Sequence, residues 1–410
     1  MNTDIIIFIN ALLVVAFTFS VEGCHKQNRQ LGYNSTATHD FYYLSHLARL
    51  SRAQISLRCK HKELWNIWNR RRAKTPKRGV VIWQCLLGYG CGGNGDRLRG
   101  ISGALYNAIR TGYDFAIHWD NPVPVEFFLS ARYPPFKNIT DYDINLNATL
   151  SSPSGVQPPT LAVASFDHKD STLQECAWVR YDNVLVRSNE LYSTSCGDEG
   201  ELKPFFFANQ ENVADLHWNQ YPCLGCIFWF LFSISPPLQI SIERELRAFA
   251  EWMNATNRSH ISTVAIHFRG GDHYMNVGQE HRGEKRMELT HLHNMIACAE
   301  KIERNSSELP TIFLCADSQA AKAYAKTHYG DRVYTSSIVP FHTDREGADP
   351  GNGTMGTWTD LMLLGLADGI VLSSSGYGVL AAQIGMYDRA QIITSGECFG
   401  VKKSHSGAVG

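Results

Sequence analysis

Three short segments carry residues whose types and spacing suit the binding of a phosphorylated ligand. In TVAIHFRGGDHY, residues 263–274, an apolar run leads into His267, Arg269 and Asp272. Alternation along a strand puts His267 and Arg269 on one side, and Gly270 and Gly271 leave room for a bulky anion against the backbone. An arginine suits a diphosphate because its planar fork makes two charge-assisted hydrogen bonds and keeps its charge. Asp272 would hold Arg269 or His267 in place; a structural salt bridge at a strand end is the competing reading. In GYGCGGNGDRLRG, residues 88–100, glycines let the backbone approach a ligand, and a helix beginning near Asp96 offers free N–H groups to an anion. Gly88, Gly90 and Gly93 also satisfy G-x-G-x-x-G, with Asp120 placed where a dinucleotide enzyme holds its ribose, so an NAD-dependent oxidoreductase is an alternative function. A tight turn without a ligand fits the same glycines. In residues 357–385 a strand ends in Ser373-Ser374-Ser375-Gly376 and a new helix starts at once, which makes either a second anion cradle or an N-cap alone.

The elements that must position these loops follow from periodicity. Residues 79–87 read as an apolar strand, 97–110 as a helix and 115–119 as a second strand, a βαβ unit. Residues 42–68 form an amphipathic run that ends in the basic cluster Arg70-Arg71-Arg72, read as a solvated helix end. The segment 233–237 reads as a linker, because its paired prolines stop both helix and central strand. Beyond it, strands at 264–268, 311–315, 332–335 and 369–373 alternate with helices near 240–253, 287–304, 318–328, 357–367 and 377–385. That alternation predicts a parallel sheet wrapped on both faces. The chain is therefore read as two α/β domains with the ligand site in the cleft between them.

The composition narrows the partners and the compartment. Among 410 residues, 38 are basic and 39 acidic, for a net charge of -1, which is not the footprint of a nucleic-acid binder. An apolar share of 44% with 19% charged residues excludes global disorder. Residues 5–21 are mostly apolar, long for a signal-peptide core and short for the ~20 residues of a membrane span. A cleaved signal peptide over 1–23 and a signal anchor both send the chain into the secretory pathway. Seven N-x-S/T sequons agree: Asn34, Asn138, Asn147, Asn254, Asn257, Asn305 and Asn352. In that oxidising compartment the 11 cysteines should mostly pair, with at least one left over, and Cys223-x-x-Cys226 reads as structural rather than as redox chemistry or zinc. The H-x-H pair His291 and His293 reads as solvent-facing.

Taken in order, GYGCG with GDR, then HFRGGD as an H-x-R-x-x-D variant, then Asp360-x7-Asp368 leading into SSSG, the chain resembles the GDP-fucose-dependent fucosyltransferases of the α1,6/α1,2 and protein-O-fucosyltransferase superfamily, over roughly residues 79–395. The resemblance implies a GT-B fold, two Rossmann-like domains facing a central cleft. A signal peptide or anchor (1–23) and a stem or helical arm (24–77) would precede an acceptor-side domain (78–237) and a GDP-fucose-binding domain (238–400). It implies that Arg269 grips the β-phosphate and that Gly93, Asn94, Gly95, Arg97, His267, Asp317, Asp360, Ser373, Ser374 and Ser375 line the donor site. Gly270 stands where α1,6 members often have a second arginine. Arginine and helix starts would stabilise the leaving GDP without metal or cofactor, and no D-x-D pair stands in a suitable loop. Inversion at the fucose carbon needs a base for the acceptor hydroxyl, drawn from Asp272, His273, Glu280, His281 and Glu284 or, in the first loop, Asp96. The expected partners are the nucleotide sugar and a glycan or glycoprotein in the Golgi lumen or outside the cell, with no nucleic acid. A third class, a carbohydrate-binding relative without activity, would keep the fold and lose the base. Which acceptor is used is not legible in these residues.

Overall fold

The computed structural model describes residues 55–56, 59–75, 80–85, 93–132, 136–138, 179–181, 184–188, 201–202, 205, 224–257, 262–271, 287–302, 309–339, 349–387 and 392–398. All lie in one compact unit, Leu50–Gly410. Helix α1 (His61–Lys74) precedes the βαβ unit of β1 (Val80–Cys85), α2 (Asn94–Thr111) and β2 (Asp114–Trp119). Short strands β3 (Leu129–Ala131), β4 (Phe136–Asn138), β5 (Val179–Tyr181) and β6 (Val184–Ser188) follow. The first sheet runs β4-β2-β1-β6-β5. Its first four strands are parallel, and β5 joins antiparallel at the edge.

The second sheet is built from β8 (Thr263–Phe268), β9 (Thr311–Ala316), β10 (Val333–Thr335), β11 (Gly369–Leu372) and β12 (Ile392–Thr394). Helices α5 (His291–Ile302), α6 (Gln319–Tyr329), α7 (Pro350–Leu366) and α8 (Gly376–Ile384) connect these strands in turn, and α9 (Ser395–Cys398) follows the last. All five strands are parallel, in the order β10-β9-β8-β11-β12. The winding reverses between β8 and β11, and in the first sheet between β1 and β6. Open α/β sheets bind ligands at such reversals, beyond the carboxyl ends of the strands.

Between the sheets run α3 (Leu224–Leu231), β7 (Phe232–Ile234) and α4 (Pro236–Ala255). The linker expected over 233–237 is instead the end of β7, paired antiparallel with β3, and the start of α4. Pro236 and Pro237 occupy the first helical turn, whose N–H groups have no intrahelical partner, so proline costs nothing there. Ser235 caps the turn by accepting from the Leu238 N–H at 3.3 Å. Helix α7 likewise starts earlier than its apolar pattern suggests, at Pro350 behind an Asp349 cap.

One buried cluster joins both sheets. Phe128 packs edge-on against Trp119 at 5.5 Å and stacks on Trp358 of α7 at 5.1 Å, and Phe228 of α3 stacks on the same indole at 6.0 Å. A second cluster fills the other face of the second sheet, where Val264, Ile266 and Phe268 meet α5 and α6 residues. That alternation leaves Ala265 and His267 on the opposite face. Helix α1, within the segment read as a stem, buries Leu64, Ile67 and Trp68, and Trp68 Nε1 donates to the Tyr113 carbonyl at 2.8 Å. Arg70 and Arg71 pair with Glu201 and Arg72 pairs with Asp114, so the basic cluster is an ion-paired surface. Cys226 is disulfide-bonded to Cys59, and Cys298 to Cys398, while Cys315 is a free, buried thiol. Cys223 lies outside the described residues. No described helix is long and apolar enough to cross a membrane, and residues 5–21 are not among those described.

Candidate active site where two helix starts meet

Helix α2 begins at the first sheet's winding reversal, capped at Gly93, whose N–H donates to the Asp96 carboxylate at 3.1 Å. Asp96 also pairs with Arg99, and its side chain is half exposed. Helix α8 begins at the second sheet's reversal, where Ser375 Oγ accepts from the Tyr377 N–H at 3.3 Å. These two starts touch. A Cβ on Gly95 would lie 2.9 Å from the Gly376 carbonyl oxygen, so only glycine permits this approach. Two helix N-termini, each the positive end of a helix dipole, are thus brought side by side. Helix α3 ties down the far, carboxyl end of α8 through Trp229 Nε1, which donates to the Ile384 carbonyl at 2.9 Å.

Asn94, in the first turn of α2, is 2% exposed, and neither its Oδ1 nor its Nδ2 has a hydrogen-bond partner. A buried amide left in this state costs ~1–3 kcal/mol. A polar ligand that reached the amide would remove that cost.

The end of β8 supplies the second group. His267 is 3% exposed, its Nδ1 lies 3.0 Å from Ser373 Oγ, and its ring sits 5.3 Å from that of Tyr377. Burial, with the Arg269 charge acting in the same direction, pushes its pKa down to about 3, so the imidazole is neutral at any physiological pH. Arg269 Nε lies 3.3 Å from Asp317 Oδ2. The Gly270 and Gly271 N–H groups donate to the same carboxylate at 2.9 and 3.0 Å. Burial pushes the Asp317 carboxyl up, and Arg269 with these two N–H donors pulls it back part of the way. Asp317, at the end of β9, therefore fixes the turn that carries Arg269, as a second group behind the arginine's own fork.

The remaining expected residues fall in two further places. Arg97 is fully buried over the Trp119 ring, 5.0 Å from its centroid, and donates to the Asn121 carbonyl, so it braces the end of β2. Asp360 is 4% exposed and accepts from Ser336 Oγ at 2.8 Å. Burial raises its pKa, and the Lys322 charge offsets part of that effect. Lys322 in turn donates to Ser336 Oγ at 3.0 Å and to the Ile338 carbonyl at 2.6 Å. Ser374 is exposed between Ser373 and the Ser375 cap. Asp272, the pool His273, Glu280, His281 and Glu284, and the glycines Gly88 and Gly90 lie outside the described residues. Asp368, the second carboxylate of the D-x7-D spacing, instead accepts from the Thr263 N–H at 2.9 Å and anchors the start of β8. His293 is exposed on α5 and bonded to Tyr324 Oη at 2.6 Å.

Sequence reading missed Tyr377, Ser336 and Lys322. Tyr377 stands in SSSGYG, directly after the hydroxyl run, and its Oη donates to the Thr357 carbonyl at 2.5 Å. Among the described residues no group of three or more His, Cys, Asp or Glu is gathered as metal ligands would be.

No protein-family model and no curated protein sequence matches this chain. Among solved structures, the NodZ α-1,6-fucosyltransferase co-crystallised with GDP is similar at 14% identity and a TM-score of 0.40, over 75% of this chain and 92% of that one. The fucosyltransferase NodZ from Bradyrhizobium is similar at 15% identity and a TM-score of 0.39, over 75% and 92% of the two chains. Arabidopsis thaliana FUT1 in complex with GDP is similar at 13% identity and a TM-score of 0.42, over 84% of this chain and 77% of that one. The functional reading rests on the site residues themselves.

Proposed function

We propose that this chain is an inverting glycosyltransferase that moves L-fucose from GDP-fucose to a hydroxyl of a glycan or glycoprotein in the secretory pathway. The observation that carries this reading is Asn94, buried with an unpartnered amide where the starts of α2 and α8 meet. A site of this kind suits a ligand that offers both hydroxyls and anionic oxygens, as a sugar diphosphate does. Arg269, held by Asp317 at the neighbouring strand end, supplies the fixed cation for the diphosphate. Neutral His267 adds a polar contact without charge.

In the reaction, the bond from the fucose carbon to the β-phosphate oxygen breaks and its electron pair leaves with GDP. The acceptor oxygen bonds to that carbon from the opposite face, which inverts it. The hydroxyl proton passes to a carboxylate, with Asp96 and Asp272 as the candidates. Charge growing on GDP is met by Arg269 and the two helix starts, so the step is proposed to need no metal. The apolar leader, the seven sequons and the Cys59–Cys226 and Cys298–Cys398 bonds support a lumenal setting, in the Golgi or after secretion.

The test is a glycan array incubated with the purified chain and labelled GDP-fucose. Label appearing on a defined glycan is the expected result. GDP binding without transfer to any glycan or peptide would make the chain a carbohydrate-binding relative instead.

A further inference from the structure

Two sequons among the described residues, those of Asn254 and Asn352, meet different surroundings. Asn254, in the last turn of α4, is exposed, and its side chain makes no hydrogen bond among the described residues. Its sequon partner Thr256 closes the helix, with Oγ1 donating to the Trp252 carbonyl at 2.8 Å. Asn352 is also exposed, but its Nδ2 donates to the Asp349 carboxylate that caps α7, and its sequon partner Thr354 is 0% exposed. A bulky, hydrated glycan is compatible with the first site. At the second it would crowd the Asp349 carboxylate to which Nδ2 donates, beside the packed Thr354.

We infer that Asn254 is an N-glycosylation site of this protein and that Asn352 is left unmodified. The inference rests on the secretory reading given above. In the modification, Nδ2 of Asn254 forms a bond to the first carbon of an oligosaccharide. The bond from that carbon to a lipid-diphosphate carrier breaks, and one Nδ2 proton passes to a base of the lumenal transferase. The glycan would stand at the carboxyl end of α4, the helix that precedes β8 in the chain. The candidate active site lies at the carboxyl end of that strand, about 17 Å along it from its first residue.

The experiment expresses the full chain with its own amino terminus in a eukaryotic secretory host. Peptide mapping follows after amidase release of N-glycans, which converts each modified asparagine to aspartate. The expected result is aspartate at 254 and asparagine at 352, with N254Q and T256A each removing one glycan step on a gel while GDP-fucose turnover stays within about twofold. Unmodified Asn254 in folded, secreted protein that carries glycans at other sequons overturns the inference and leaves the secretory reading intact. Absence of every glycan from a chain that stays in the cytosol overturns both. Modification at Asn352 removes the argument from capping and burial.

Discussion

Replacing Gly95 by alanine puts a methyl group into the contact on which the site depends. The new Cβ would lie 2.9 Å from the Gly376 carbonyl oxygen and 3.0 Å from its carbon, both backbone atoms that no side-chain rotation can move. Relief requires the two helix starts to separate by roughly half an ångström, and overpacking of this kind costs ~1–3 kcal/mol. Alanine recovers up to ~1 kcal/mol of helix propensity, so the net loss of stability should be ~0–2 kcal/mol. The larger effect falls on the ligand. A misplacement of ~1 Å costs about a hundredfold in rate, and half of that is expected to lower GDP-fucose turnover roughly tenfold. Gly93→Ala is the control, because its Cβ would meet nothing closer than the Asp96 carboxylate at 3.9 Å. Thermal melts and transfer rates of both variants would be compared with wild type. A Gly95→Ala protein with an unchanged melt and an unchanged rate would refute the claim that the meeting of α2 and α8 builds the site.

Arg269→Lys keeps one charge beside Asp317 but loses the fork, so turnover at saturating donor should fall ~10²-fold or more while the melt barely moves. A variant that keeps a third of the rate would remove Arg269 as the phosphate ligand. Stability should fall in acid, because His61 and His267 are buried with pKa values pushed down from 6.5 to about 4 and about 3. Between those values and 6.5 the unfolded chain binds more protons, so stability rises with pH, by up to about 1.4 kcal/mol per group per unit, and is flat above. Denaturant melts from pH 3 to 8 test this, and His61→Gln should flatten part of the slope. Chelation by EDTA should leave most turnover intact; loss of activity that manganese restores would contradict the assignment of the leaving charge to Arg269 and backbone donors.

The second sheet was legible because its strands are short apolar runs separated by helical spacing, and the polar residues that break the pattern, His267 and Arg269, fall at a strand end. The Pro236-Pro237 pair misled, since proline stops a helix interior yet opens a first turn, and Ser235 is the signal that distinguishes the two cases. The contact of Gly95 with Gly376 joins helices that follow strands of different sheets, and no local pattern encodes it. Lys322 is equally silent in sequence: on an alanine-rich helix it reads as a solvated lysine, and only the fold brings Ser336 and the Ile338 carbonyl around it. Arg97, assigned to the donor site by the resemblance, packs over the Trp119 ring and donates to the Asn121 carbonyl, contacts that no local pattern in the sequence encodes.

Titration calorimetry of the purified chain with GDP-fucose, and with NAD under identical conditions, tests the central claim most directly. The account predicts saturable binding of GDP-fucose at one site, weakened at least tenfold in Asn94→Ala, and no heat from NAD. Binding of NAD with none of GDP-fucose would contradict it.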